Sequence, residues 1–293
     1  MIRSATSSIL FLMIVMTTSC INEYDAPSGT DETMLVVNAE LEAGRGGQSI
    51  YIGNSFQTLD QSVLFDEDLK VEIYEFQNAE PYIPTLINRQ EGEWKLPDSL
   101  IFEEDKSYVL KIDPAQYGLE PIFAETEIPH NANVIMESVL RQSDSNSFEL
   151  SLDLTQSQRS VKHLELQLFV LDENGNKIYA DEFYDKEGIP LFIVNRNASG
   201  ILIDLEKLPD AKYLTFIADF WLNNPHEIRN GQFLYISLRS VTEDYYLYKR
   251  SLSETAVSNN PFSLPNTTFT NISNGFGLFA VYNTVTDSLL IQG

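Results

Sequence analysis

The sequence predicts a mainly β protein with two antiparallel β-sandwich domains, the first immunoglobulin-like, and one amphipathic helix in the second. Two observations lead to this fold class. From Met34 onward, apolar and polar residues alternate with a period of two in most segments, which is typical of half-buried strands. Residues 243–257 differ, because their apolar side chains recur at spacings of three and four, as in a helix packed on a core.

The first set of predicted strands precedes a polar stretch that contains a proline. Residues 69–74 show the pattern well, with apolar side chains on one face and charged side chains on the other. The same alternation recurs at residues 35–41, 48–52 and 108–112. Since residues 125–133 are polar and interrupted by Pro129, we place a domain boundary there, which gives an N-terminal sandwich over residues 34–129.

The second set of strands predicts a C-terminal sandwich over residues 130–293. Its strands are expected at residues 148–154, 163–170, 177–180, 213–220, 233–241 and 279–290. Asn174 and Gly175 favour positive φ angles and predict a hairpin turn between two of them. His163 alternates with Leu164 and is therefore expected to face solvent.

The predicted helix covers residues 243–257. Thr242 is a suitable N-cap, and acidic residues follow in the first turn, where they interact favourably with the helix dipole. The apolar stripe consists of Tyr245, Tyr248, Leu252 and Ala256. We expect its tyrosines to belong to the core, whereas Tyr246 lies on another face.

The N-terminus has the pattern of a lipoprotein signal peptide at residues 1–19. Arg3 is followed by a short apolar run, then by small residues, and then by Cys20, the only cysteine of the chain. A thiol at this place can accept a diacylglyceryl group. The alternative is an ordinary signal peptide with an incidental free cysteine. Residues 20–33 are polar and acidic, contain proline and glycine, and predict a flexible tether.

The net charge of the chain indicates which kinds of partner it can bind. The 293 residues carry a net charge of −24, so the chain is repelled by nucleic acid phosphates and by anionic lipid headgroups. Acyl chains on Cys20 would therefore have to hold the protein at a membrane. We expect a lipid-anchored protein that does not bind nucleic acid.

Catalytic and metal-binding patterns are sparse, so the sequence predicts a non-enzyme with no cofactor and no metal. The histidines, His130, His163 and His226, have no partner at metal-ligand spacing. A calcium loop starting at Asp172 would lack its distal glutamate, so a hairpin explains this segment better. Because carboxylates are abundant, a surface glycoside hydrolase with paired carboxylates remains an alternative. A second alternative is an adhesin-like stalk.

A family resemblance follows from the segment after the helix. The motif residues are Asn260, Pro261, Phe262, Pro265, Asn271, Asn274, Gly275, Gly277 and Phe279. With the helix before them and the cysteine near the N-terminus, they resemble a Bacteroidota outer-membrane lipoprotein family known as domain of unknown function 4249. We interpret the motif as structural, because its glycines allow close backbone approach.

The resemblance implies a location and a kind of partner. Members of this family are often encoded beside TonB-dependent receptors, the barrels that import bulky nutrients. We therefore expect a cell-surface accessory lipoprotein, anchored in the outer membrane and acting as a non-catalytic binding or scaffold partner of such a barrel. Its ligand stays open. Ser99 and Ser288, each in an Asp-Ser-Leu sequence, resemble acceptors of Bacteroidota O-glycosylation.

Overall fold

The computed structural model describes residues that all belong to one compact unit, Thr33–Gly293. The described residues are 34–55, 65, 67–78, 80–132, 135–141, 146–153, 161–184, 200–207, 213–220, 228, 231–257 and 268–291.

The described residues form 16 strands and one α-helix, which confirms the mainly β fold class. The strands are β1 (Leu35–Glu42), β2 (Ser49–Asn54), β3 (Lys70–Glu75), β4 (Thr85–Asn88), β5 (Glu93–Lys95), β6 (Ser107–Asp113), β7 (Ile122–Glu127), β8 (Ile135–Arg141), β9 (Ser147–Asp153), β10 (His163–Leu171), β11 (Lys177–Tyr179), β12 (Glu182–Tyr184), β13 (Gly200–Asp204), β14 (Tyr213–Asp219), β15 (Phe233–Val241) and β16 (Gly275–Leu290). The helix is α1 (Glu243–Val257), and short 3₁₀ turns occur at Ala115–Tyr117 and Leu205–Lys207.

The strands are arranged in one large sheet and two smaller ones. The large sheet has nine strands in the order β11-β10-β15-β16-β1-β2-β5-β4, with β13 also paired to β10. The smaller sheets have the orders β12-β14-β9-β8 and β3-β6-β7. The predicted hairpin between β10 and β11 is confirmed, with Phe169 opposite Tyr179 and Gly175 at a φ of 82°.

Strand β16 joins the two halves of the large sheet. Its first half pairs in parallel with β1, from Leu35 opposite Gly275 to Glu42 opposite Tyr282. Its second half pairs with β15 in the antiparallel sense, beginning with Ser240 opposite Asn283. Among the described strands, the last therefore lies beside the first, and the sheet is continuous across both halves.

Each half of the large sheet covers its own hydrophobic cluster. One cluster holds apolar side chains of β1, β2, β3, β6 and β7, together with Phe279 and Val281 of β16. The other holds apolar side chains of β8, β9, β10, β12, β13, β14 and β15. Of the residues in these two clusters, those up to Ile128 belong to the first and those from Ala132 onward to the second, except that Ile272, Phe279 and Val281 return to the first. The division into two separate domains stays a prediction.

Helix α1 packs on the outer face of the large sheet. Tyr245 is fully buried there in a third cluster with Val241, Leu278 and Ala280, so its predicted place in the core is confirmed. The predicted N-cap is also present, since the backbone N–H of Tyr245 donates to Thr242 Oγ1 at 3.2 Å. Across the described part of the chain, we find no helix with the length and apolar character that a membrane span requires.

The predicted exposure of His163 is wrong. Only 8% of this residue is exposed, and its ring stacks on Tyr246 of α1 with 4.4 Å between centroids. All residues of β10 but the last are buried, because the apolar cluster covers one face of the strand and the helix side covers the other. The predicted alternation of side chains between the two faces of β10 is correct, but α1 covers the face that was expected to be exposed to solvent.

Candidate functional site

A cleft of about 790 Å³ lies beside the N-terminus of α1. Its walls come from residues 105–107 at the start of β6, residues 125–130 at the end of β7, residues 161–163 at the start of β10 and residues 241–244. Ile128, Val161 and Val241 are its buried apolar residues. The cleft therefore has an apolar part and a charged part.

Carboxylates dominate the charged part of the cleft. They belong to Asp105, Glu125, Glu127, Glu243 and Asp244. The ion pairs of the two cleft lysines are with other carboxylates: Lys106 pairs with Glu75 and Glu103, and Lys162 pairs with Glu206. None of these three partners lines the cleft.

Two of the five carboxylates have a polar neighbour. Asp105 lies 3.5 Å from Nε2 of His130, and Asp244 accepts a hydrogen bond from Asn271 at 3.3 Å. Glu125, Glu127 and Glu243 are exposed and form no ion pair with any residue that the structure describes. The lining of the cleft consequently contains more carboxylates than ammonium groups.

His163 contributes a buried imidazole to the cleft. Its Nδ1 is buried without a hydrogen-bond partner among the described residues. Burial lowers the pKa of His163 below its ordinary value of 6.5, although the charges of Asp204 and Glu243 oppose this shift. The ring is therefore neutral at pH 7.

A polar cluster lies under α1, next to the cleft. Glu165 of β10, only 2% exposed, accepts a hydrogen bond from Arg239 Nη1 of β15 at 2.9 Å and another from Tyr245 Oη at 2.7 Å. Lys249 pairs with Glu40 of β1 at 2.7 Å. These contacts attach the helix to β10 and β1, and Glu165 in turn connects β10 to β15.

Two aromatic rings complete this polar cluster. The guanidinium of Arg239 lies over the ring of Tyr282, 4.5 Å from its centroid. Burial, together with the charges of Glu165 and Glu40, raises the pKa of Tyr245 well above its ordinary value, so the hydroxyl remains a donor. The cluster is buried at Glu165 and Tyr245 and partly exposed at Arg239 and Glu40, and its contacts are those of a structural connection.

Asn271 connects the segment after the helix to β16. Its Nδ2 donates to the backbone oxygen of Phe279 at 2.8 Å, and its Oδ1 accepts from the backbone N–H of Phe279 at 3.0 Å. Nearby, Ser273 Oγ accepts from the backbone N–H of Phe123 in β7 at 2.8 Å, and Asn274 Nδ2 donates to Pro121 O at 3.1 Å. This segment therefore attaches β7 to the first half of β16.

Gly277 lies where β16 comes closest to β1. Its φ is 105°, and a Cβ built on it would lie 1.8 Å from the backbone oxygen of Val37. Gly275 is similarly confined, with Leu35 O at 2.9 Å from such a Cβ. Both positions require glycine for backbone packing.

The family model described as "Domain of unknown function (DUF4249)" matches residues 21–288. The chain belongs to this family. The match confirms the resemblance found in the sequence, and it includes the cleft, the polar cluster and the Asn271 segment. No curated protein matches this DUF4249 chain.

Two solved structures are similar to this DUF4249 member. One is a DUF4785 family protein from Legionella pneumophila, with 14% identity, a TM-score of 0.23, and coverage of 72% of this chain and 53% of that chain. The other is Escherichia coli alpha-2-macroglobulin activated by porcine elastase, with 11% identity, a TM-score of 0.24, and coverage of 72% and 18%. The part that matches this chain is thus less than two thirds of each of the two solved chains.

The structure describes some of the site residues predicted for the DUF4249 chain. Asn271, Asn274, Gly275, Gly277 and Phe279 lie together around the start of β16, where they contact backbone atoms of neighbouring strands. Ser99 and Ser288 are both exposed. Outside the described residues lie Cys20, Asn260, Pro261, Phe262 and Pro265, as do the signal peptide and the tether. No group of three or more His, Cys, Asp or Glu residues in the described ranges is placed to hold a metal ion.

Sequence reasoning missed Glu165, Arg239 and His163 as members of a buried polar layer. The alternation of β10 predicted that His163 faces solvent, and neither Glu165 nor Arg239 was singled out. A signal did exist in the helix, where Lys249 lies one turn after Tyr245 and so on the same face. A lysine and a tyrosine on the face of a helix that packs on a sheet predict a polar partner for them in the strands beneath.

We expect Asn271→Ala to lower the free energy of unfolding by about 1–3 kcal/mol, because Phe279 would lose both side-chain hydrogen bonds to its backbone. Asn271→Asp should cost at least as much, since a carboxylate would face the oxygen of Phe279 and the carboxylate of Asp244. Urea denaturation of both variants measures the effect. Equal stability of wild type and Asn271→Ala would contradict it.

His163 predicts a dependence of stability on pH. Because its pKa is lowered in the folded protein, the unfolded chain binds more protons as the pH falls below about 6.5, and stability should decrease there. The His163→Phe variant should show a shallower loss of stability between pH 7 and pH 5. Denaturation midpoints across this range provide the measurement, and parallel profiles for the two proteins would refute the expectation.

Proposed function

We propose that this DUF4249 protein is a lipid-anchored outer-membrane accessory protein, and a non-catalytic binding or scaffold partner of a TonB-dependent nutrient transporter. The observation that carries the proposal is the single cysteine, Cys20, directly after a short apolar run in a chain of this family. Acylation there attaches the protein to the membrane, and the transporter partnership follows from the family resemblance.

The charge of the chain supports an anchor made of lipid. A chain whose 293 residues carry a net charge of −24 is repelled by anionic headgroups, so electrostatic attraction cannot hold it at a membrane. Two or more acyl chains hold a protein firmly, since each buried methylene contributes about 0.8 kcal/mol. In this proposal the folded body stays in water beside the membrane and presents its surface to the transporter.

The partnership is tested by affinity purification of the tagged full chain from detergent-solubilised outer membranes. We expect mass spectrometry to find a TonB-dependent barrel in the eluate of the wild-type protein and to find much less of it with Cys20→Ala, which cannot be acylated at this position. Recovery of the wild-type lipoprotein without any barrel would refute the partnership.

A surface hydrolase that uses paired carboxylates is the second candidate function. The observation that favours it is the cleft, whose lining includes Glu125, Glu127 and Glu243. Glycoside hydrolysis needs two carboxyl groups about 5 to 9.5 Å apart on either side of the scissile bond. Release of reducing ends from a panel of glycans, abolished by Glu127→Gln or Glu243→Gln, would support this function over the first.

A further inference from the structure

We propose that the end of the compact unit at which β1 begins, the tether end, contacts the bilayer surface through Phe123 and Phe276 while the rest of the unit stays in water. The inference rests on the proposed lipid anchor at Cys20 and goes beyond it, because an acyl anchor alone leaves the orientation of the protein open. Three features carry it: the place where the anchored segment joins the compact unit, two exposed phenylalanines at that place, and the backbone contacts that hold them.

The anchored segment joins the compact unit directly before β1. Met34 lies 14 residues after Cys20, so even a fully extended chain keeps the start of β1 within about 50 Å of the anchor. A connection this short gives the tether end a high effective concentration at the bilayer. A contact between this end and lipid therefore forms far more readily than it would in a protein without an anchor.

Phe276 of β16 lies at the tether end. It is opposite Val36 of β1, two residues after Met34, and 44% of it is exposed. Val36 is itself partly exposed, and on its other side β2 has Gly53, which adds no side chain to this face. The large sheet therefore presents apolar surface to solvent beside the point where the anchored segment joins it.

Phe123 of β7 belongs to the same end. Its backbone N–H donates to Ser273 Oγ at 2.8 Å, and its backbone oxygen accepts from the N–H of Ser273 at 2.9 Å, three residues before Phe276. Its side chain is exposed, and the ammonium of Lys111 lies 5.7 Å from the centre of the ring. A lysine beside an inserted ring can reach the phosphates of the lipid headgroups.

The backbone at both phenylalanines is held firmly. Gly275 and Gly277, on either side of Phe276, are confined by the backbone of β1 and leave no room for another residue type. Phe123 is held by its two hydrogen bonds to Ser273. An exposed aromatic ring on a backbone that cannot shift is preorganised for a contact, because little conformational freedom remains to be lost when the contact forms.

A bilayer fits these rings better than a protein partner does. Apolar side chains insert about 5–10 Å into the boundary between headgroups and acyl chains, and a fluid surface needs no separate pocket for each ring. Since the chain is strongly negative, the contact requires headgroups without net charge, such as phosphatidylcholine.

Quenching of tryptophan fluorescence by brominated lipid tests the proposal. The full acylated chain is reconstituted from detergent into phosphatidylcholine vesicles with or without bromine on the acyl chains, as wild type, Phe276→Trp, Phe123→Trp or Phe233→Trp. The wild type accounts for the two native tryptophans. Phe233 is the matched control, because it is 48% exposed but lies opposite Leu290, about 45 Å along β16 from Phe276. We expect quenching of the added tryptophan to be at least about threefold stronger at positions 276 and 123 than at position 233.

A second substitution tests whether the two rings act together. Phe123→Ser in the Phe276→Trp chain should lower the quenching at position 276 by about half, because one of two contacts with the bilayer is lost. Phe233→Ser in the same chain should leave this quenching unchanged.

Flotation of the vesicles separates this proposal from the lipid anchor on which it rests. A wild-type chain that does not float with the vesicles contradicts the anchor and the contact together. A chain that floats, but is quenched equally at positions 276 and 233 or at neither, contradicts the contact alone. Equal effects of Phe123→Ser and Phe233→Ser in a floating chain would also overturn it.

Discussion

Replacing Gly277 by alanine should lower the free energy of unfolding by more than about 4 kcal/mol, or prevent folding altogether. The added Cβ would lie 1.8 Å from the backbone oxygen of Val37, with which Gly277 is paired in the parallel ladder of β1 and β16. Relief of this overlap requires the two strands to separate. In addition, a φ of 105° is a conformation that residues with a Cβ rarely adopt.

Gly118→Ala is the matched control for Gly277→Ala. Gly118 also has a positive φ, 72°, but a Cβ built on it would meet nothing within 4 Å. The variant should therefore lose only the roughly 1–2 kcal/mol that a left-handed conformation costs a residue with a Cβ. Urea denaturation of the two variants separates the overlap from the dihedral strain. Similar losses in both would contradict the close approach of β1 and β16.

Replacing Glu165 by leucine should cost about 3 kcal/mol or more, because the guanidinium of Arg239 would remain largely buried without its carboxylate. Tyr245 would also lose its hydrogen-bond acceptor at 2.7 Å, although Glu40 lies within 3.4 Å of the same hydroxyl. Denaturation followed by the circular dichroism of the strands measures the loss of unfolding free energy. Comparison with denaturation followed by tyrosine fluorescence shows whether α1 detaches first.

A double-mutant cycle distinguishes the ion pair from general disruption of packing. In Glu165→Leu, Arg239→Met, no unpaired charge remains, so the double variant should be more stable than Glu165→Leu alone. Additive losses of the two single changes would show that Glu165 and Arg239 do not depend on each other.

Local patterns predicted much of the secondary structure. Residues 243–257 were predicted as a helix from the spacing of apolar side chains and from Thr242, and α1 has these bounds. The alternation in residues 163–170 likewise placed β10 correctly. These elements could be predicted because periodicity and caps depend on residues close in sequence.

The pairing of distant strands could not be predicted in this way. The sequence indicated a strand at residues 279–290, but β16 begins at Gly275, since glycines that discourage a strand in isolation are needed for the approach to Val37. Nothing local to β1 indicates that it lies in parallel beside the last strand. That arrangement results from how two hydrophobic clusters share one sheet.

The candidate site was predicted only in part. Asn271 and Gly277 were recognised through the family resemblance, and their backbone contacts are now described. His163 was assigned to solvent and Glu165 was not singled out, because the strand pattern does not show which face a helix will cover. The cleft itself combines β7, β10 and the start of α1, which are distant in sequence.

The acylation of Cys20 is the most direct test of the proposed function. Cells expressing the tagged wild-type chain or Cys20→Ala are grown with an alkyne analogue of palmitate, and the purified protein is examined after coupling of a fluorophore to the alkyne. The proposal predicts a labelled wild-type band in the outer-membrane fraction and an unlabelled variant that leaves that fraction. A wild-type protein without label, or a variant that stays in the outer membrane as the wild type does, would contradict it.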